Sequence, residues 1–162
     1  MASLVALALT SIGSLRAPAQ EPKTEAKPAL SQEELEKKFR DTLYQSTFSG
    51  RWSVIQDGKM GPPLEDKYTI GGVSKVGGDV WLVHARIQYG KIDTTVPIPV
   101  QVKWAGDTPV ISITDLAIPG VGTYTARVVV HGKLYTGTWS GGSHGGVMSG
   151  MIEAQPAQPA QP

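Results

Sequence analysis

The chain contains no cysteine. That excludes disulfides, thiolate metal sites, a cysteine nucleophile and a lipidated N-terminal cysteine. It has no basic stripe either. Its 15 Lys and Arg are almost balanced by 14 Asp and Glu, so nothing in the charge pattern is suited to a nucleic-acid backbone. Histidine is scarce, with His84, His131 and His144 the whole supply. None stands in an HxH, HxxxH or His-with-carboxylate spacing, so no metal site or cofactor is predicted. Two of them fall on the polar faces of strand-like runs and the third in a Gly-rich turn. His84 with Arg86 on one outward face is at most a surface anion site.

Catalytic patterns are missing as well. Ser140, Ser143 and Ser149 lie among glycines, but no G-x-S-x-G elbow leads from a strand into a helix. SGGSHGG lacks the lysine and the following helix of a phosphate loop, and a hairpin explains its glycines. Asp57, Asp66, Asp79, Asp93 and Asp107 are expected at turns, where Asp stabilises the bend. No inward carboxylate pair of the glycosidase kind is predicted. Asp115 is the exception: it shares parity with Ile111 and Ile113, and either faces inward near a rim or caps the turn at Pro119-Gly120. Arg127 is its nearest cation in sequence. The expectation is a protein that is not an enzyme.

Long apolar runs are also lacking. The run from Leu4 to Ile12 is too short to cross about 30 Å of hydrocarbon. Small residues ending in Ala17-Pro18-Ala19 follow it, the pattern of a signal peptide over residues 1–19 cleaved after Ala19. No Lys or Arg precedes the run. The expected location is exported, periplasmic or extracellular, with no transmembrane span in the mature chain.

Residues 20–30 are mostly Pro, Ala, Glu and Lys and read as a disordered linker. Residues 154–162 form a Gln-Pro-Ala tail, extended and solvated. Between these ends, 31–47 reads as one amphipathic helix. Ser31 and Glu34 make a capping box. Leu35, Phe39 and Leu43 form one apolar stripe. Glu33 with Lys37, Glu34 with Lys38, and Glu36 with Arg40 are spaced i, i+4 with the acid first, the expected solvated face.

Residues 48–153 are all strand and turn. Eight runs can be drawn: 50–56, 65–75, 79–90, 93–104, 108–118, 122–131, 133–140 and 145–153. Short Gly- or Asp-containing breaks separate them, which suits antiparallel neighbours and not parallel crossovers. Period-2 alternation marks one buried face. Trp81, Val83, Ala85, Ile87 and Tyr89 oppose Val80, Leu82, His84, Arg86 and Gln88. Val96, Ile98, Val100, Val102 and Trp104 oppose Pro97, Pro99, Gln101 and Lys103. Because Pro97 and Pro99 cannot donate ladder bonds, part of this strand is expected at an edge or a bulge. The fold class predicted is all-β: an eight-stranded antiparallel up-and-down barrel preceded by one amphipathic helix.

A helical turn leading into Gly-x-Trp on the first strand of such a meander resembles the lipocalins and the wider calycin group. The matching residues are Gly50 and Trp52. The resemblance implies that Trp52 plugs the closed end of the barrel. Avidin-like barrels also open with Gly-x-Trp, and their compact size fits residues 50–153. No set of biotin contacts is visible, so the resemblance carries a fold and no ligand. The stretch YTGTWSGGSHGGVMSG and the block WAGDTP also resemble small exported bacterial proteins of unknown function, which adds no chemistry.

The remaining inward positions by alternation are Val54, Tyr68, Ile70, Tyr124, Val128, Tyr135, Trp139, Met148 and Ile152. A barrel of eight strands is close to the size at which side chains either fill it or leave room for one small ligand. Two readings follow. One is a calyx for a small apolar or amphipathic ligand, with Trp81, Tyr89, Trp104, Tyr124, Tyr135 and Trp139 as its contacts. The other is a filled core in an envelope protein that meets a protein or glycan. A void above about 300 Å³ would support the first.

Overall fold

The computed structural model describes residues 29–120 and 122–156, with the Tyr89 side chain excluded. The predicted signal peptide, most of the linker and most of the tail lie outside the described residues. One helix, α1 (Gln32–Leu43), precedes nine strands. These are β1 (Ser46–Gln56), β2 (Lys59–Met60), β3 (Leu64–Gly77), β4 (Val80–Tyr89), β5 (Ile92–Ala105), β6 (Thr108–Ile118), β7 (Gly122–His131), β8 (Leu134–Gly141) and β9 (His144–Ala154). Consecutive strands pair antiparallel, and β9 returns to pair with β1. The result is a closed eight-stranded up-and-down barrel. The short β2 is an appendage: it pairs only with Ile55 and Gln56 at the end of β1. Its two-residue turn has positive φ at Asp57 and Gly58, as a type I′ hairpin requires.

Helix α1 starts where expected. Ser31 Oγ accepts from the Glu34 N–H, and Glu34 Oε2 accepts from the Ser31 N–H at 2.8 Å. It ends at Leu43, four residues short of the predicted 47. Gln45 takes a positive φ, and the Ser46 hydroxyl donates to the Leu43 carbonyl at 2.7 Å, turning the chain straight into β1. Leu35, Phe39 and Leu43 are buried, as their stripe predicts. The helix charges find partners other than those of the three predicted pairs. Glu36 pairs with Lys75 of β3, Lys38 with Asp107 of the β5–β6 turn, and Lys37 with Asp41. Two of these pairs tie the helix to the barrel, because docking brings barrel charges closer than the helix's own.

The helix closes the end at which the chain enters the barrel. Phe39 sits edge-on to Trp81 at 5.1 Å and to Trp104 at 6.2 Å. Trp81 and Val102 are almost fully buried there. The opposite end carries the turns after β1, β4, β6 and β8. Its inward residues Trp52, Tyr124, Trp139 and Met148 are only partly buried. The barrel is therefore filled at the helix end and looser at the other.

Among the described residues the ladder register shifts at three places, between Lys75 and Gly77 at the end of β3 and at two bulges that break the alternation. In β3 the register shifts between Ile70 and Gly72, so Val73 rather than Gly72 is buried. In β6 it shifts between Ile113 and Leu116. Asp115 lies in that second bulge with φ +48° and is exposed, which corrects the inward placement drawn from parity. Its amide donates to Thr125 Oγ1, and the same hydroxyl donates to Asp115 Oδ1, both at 3.0 Å. Arg127 does not pair with Asp115. It donates to the Ile113 and Ala126 carbonyls and to Thr114 Oγ1, bracing the bulge.

Candidate functional site

Each of the eight barrel strands turns apolar side chains into one interior cavity of about 270 Å³. Leu43 and Phe48 mark its helix end. Ile70, Val83, Ala85, Ile87, Ile98, Val100 and Ile111 form an aliphatic wall. Trp52, Tyr68, Tyr124, Tyr135 and Trp139 supply an aromatic one, with His144 and Met148 from β9. No Asp, Glu, Lys or Arg lines it. The volume is a little under the roughly 300 Å³ at which ligand pockets begin, and roughly twice the 150 Å³ void that takes up benzene in an engineered core. It therefore falls short of the void above about 300 Å³ that would favour a calyx over a filled core.

The candidate contacts divide by end. Tyr124, Tyr135 and Trp139 line the cavity, as the alternation of β7 and β8 predicts. Trp81 and Trp104 do not. They pack under Phe39 and belong to the helix-end core. The Tyr89 side chain lies outside the described residues. Trp52 is not at the helix-closed end, where the resemblance implies a plug. It stands on the opposite half, edge-on to Trp139 at 5.3 Å. Trp139 in turn meets Tyr124 at 6.5 Å and His144 at 6.0 Å. Together these rings narrow the far end. The Trp139 indole N–H is buried there with no acceptor.

An acid sits inside the wall, and turn chemistry misplaces it. Asp66 is buried on β3, on the same face as Tyr68 and Ile70. Parity over 66, 68 and 70 was the available signal. Tyr68 donates to its Oδ2 at 3.0 Å and Tyr135 to its Oδ1 at 3.2 Å. Burial raises the Asp66 carboxyl above its ordinary value, against the opposing pull of the two phenols. The Tyr135 hydroxyl is pushed up by burial and by the adjacent Asp66.

Glycines make this cluster possible. Tyr135 pairs with Gly150, Gly150 with Gly50, and Gly50 with Asp66. The tyrosine ring lies across two strands that have no side chain at this row. A Cβ on Gly50 would stand 2.3 Å from the Tyr135 hydroxyl, and one on Gly150 would stand 2.7 Å from Tyr135 Cε1. The Gly of Gly50-Arg51-Trp52 thus has a local reason: it lets a phenol from three strands away reach a buried acid.

Outside the barrel, Gly50 and Asp66 also floor an open groove of about 850 Å³ beside the β4–β5 turn. Its rim mixes Arg51, Lys67 and Lys91 with Glu65 and Asp93. Asp93 is already engaged by Arg86 at 2.6 Å, so the outward His84–Arg86 pair is not a free anion site. Among the described residues no group of three or more His, Cys, Asp or Glu is set to hold a metal ion, and no helix is long and apolar enough to cross a membrane. Comparison with known protein families, with curated proteins and with solved structures finds no match.

Proposed function

We propose that this protein is an exported, non-catalytic calyx that binds one compact apolar or amphipathic molecule. The observation that carries the reading is the charge-free interior cavity of about 270 Å³. Hydrophobic lining drives uptake at roughly 25 cal/mol for each Å² of apolar surface removed from water. The aromatic rings on one side favour a flat ring system over a bulky one. Export is supported by the pattern of residues 1–19. A calycin-like relationship is supported by Gly50 and Trp52 and by the up-and-down strand order.

The experiment is native mass spectrometry of mature protein purified from its own host without organic solvent. A stoichiometric extra mass that leaves on denaturation supports the calyx and weighs the ligand. A second reading is an envelope interaction protein without a small ligand. It is favoured by the exposed cross-strand pair Ile55 and Met60 beside exposed Leu64. A bare polypeptide mass, together with a retained protein or glycan in a pull-down, would select it.

A further inference from the structure

Between β5 and β6 the barrel wall is zipped over half its height. Pairing runs from Ala105 with Thr108 to Gln101 with Ser112 and then stops. Beyond that point the rest of β5 and the end of β6 share no backbone pairing, while β4 follows β5 along its whole length. The sequence explains the stop. Val102 donates its N–H toward β4, to the Asp79 carbonyl at 2.9 Å. In a regular strand the N–H groups of successive residues alternate sides. The odd-numbered residues of β5 therefore aim theirs at β6. Gln101 and Lys103 have such a donor, whereas Pro97 and Pro99 have none. On the facing strand the Asp115 bulge spends its amide on Thr125. Both edges of the seam are built not to pair.

The seam opens on the cavity. Ile98 and Val100 line it from one side, Ile113 and Ile118 from the other. Inward residues at the seam, Val96 and Leu116, are partly exposed, whereas Val83, Ala85 and Ile87 on the neighbouring β4 are buried. The ends are the other routes: α1 fills one, and the Trp52–Trp139 pair narrows the other, whose inward residues are only partly buried. Parting a hydrogen-bonded ladder breaks several bonds, each of which is costly to leave unmade. Parting the seam breaks no ladder bond among the described residues.

We infer that ligands enter and leave the calyx sideways, through the unpaired β5–β6 seam. The inference rests on the calyx reading and deepens it. The test is a cross-link. Continuing the Gln101–Ser112 register brings Pro99 nearest to Thr114, both exposed, and oxidation itself reports whether they come within the roughly 7 Å that a disulfide can span. The chain has no cysteine of its own, so Pro99→Cys with Thr114→Cys makes a single defined pair. N-phenyl-1-naphthylamine, followed by energy transfer from tryptophan in stopped flow, is the probe.

With the disulfide formed, both association and release slow by about tenfold or more while Kd moves little, as expected when a conformational gate is shut. Reduction restores both rates in the same sample. If the pair resists oxidation, Leu116→Trp closes the seam sterically and is read the same way. Rates that are equal with the seam closed and open overturn the lateral route while leaving the calyx in place. A wild-type chain that takes up no probe overturns the calyx reading, and the route with it.

Discussion

Asp66 is an acid buried inside the barrel wall, where carboxylates are seldom found. Its carboxyl is raised by burial, so the folded protein holds that proton more tightly than the unfolded chain does. The stability it contributes is complete below the ordinary value of 3.8 and is lost as pH rises through the folded value. We expect Asp66→Asn to flatten this term: relative to the variant, wild type gains urea resistance as pH falls from about 7 to about 4. An unchanged difference across that range would remove Asp66 as a proton-linked group. Gly50→Ala is expected to cost about 2–3 kcal/mol in denaturant unfolding, because the new methyl meets the backbone of Ser149 and Gly150 as well as the Tyr135 hydroxyl. Tyr135→Phe should cost about 1 kcal/mol, since Asp66 keeps its bond from Tyr68.

Helix α1 and the strand rims divide the work of closing the barrel. Phe39→Ala should lose about 3–5 kcal/mol, because Phe39 is buried against two tryptophans and the cavity it leaves cannot collapse. Trp52→Ala should lose roughly 1–3 kcal/mol, the range for burying one apolar side chain, since Trp52 is partly exposed and already borders a void. Equal losses at the two positions, measured by urea unfolding, would contradict the assignment of α1 as the closed end. The Glu36–Lys75 pair at 2.6 Å orients the helix more than it stabilises it. Lys75→Met is expected to change stability by about 1 kcal/mol or less.

The barrel is packed most tightly under the helix and more loosely at its far end, where aromatics ring the interior and β5 and β6 share no ladder. Ala126 faces that looser end next to its cross-strand partner Trp139. Ala126→Phe is expected to fill that space and weaken N-phenyl-1-naphthylamine uptake by at least about tenfold, at a stability change of about 1–3 kcal/mol. Retained uptake at retained strand content, read by fluorescence and circular dichroism, would place the probe elsewhere than the calyx.

How much of this was legible in residue order depends on how local the physics is. Alternation, turn glycines and the Ser31–Glu34 box depend on neighbours a few residues away. They yielded the helix and the eight strands, with ends within a few residues of those observed. They also placed Tyr124, Tyr135 and Trp139 inside, and Pro97 and Pro99 at a break in pairing. The Thr114-Asp115 bulge shifted the phase of β6 where no glycine announced it, so parity kept an inward Asp115 open beside the turn-capping reading, and the bulge turns it outward. Asp66 was misplaced because a turn residue and a buried acid look alike until Gly50, Gly150 and Tyr135 meet it across three strand pairings. Trp81 and Trp104 share a face with the cavity residues. What separates them from it is their height along the barrel axis, set by register and by the helix that docks on them. Local pattern suffices to choose faces and elements, because side-chain direction follows backbone period. Where along the barrel a face is filled, hollow or unpaired follows from register, closure and docking, which join residues distant in the chain.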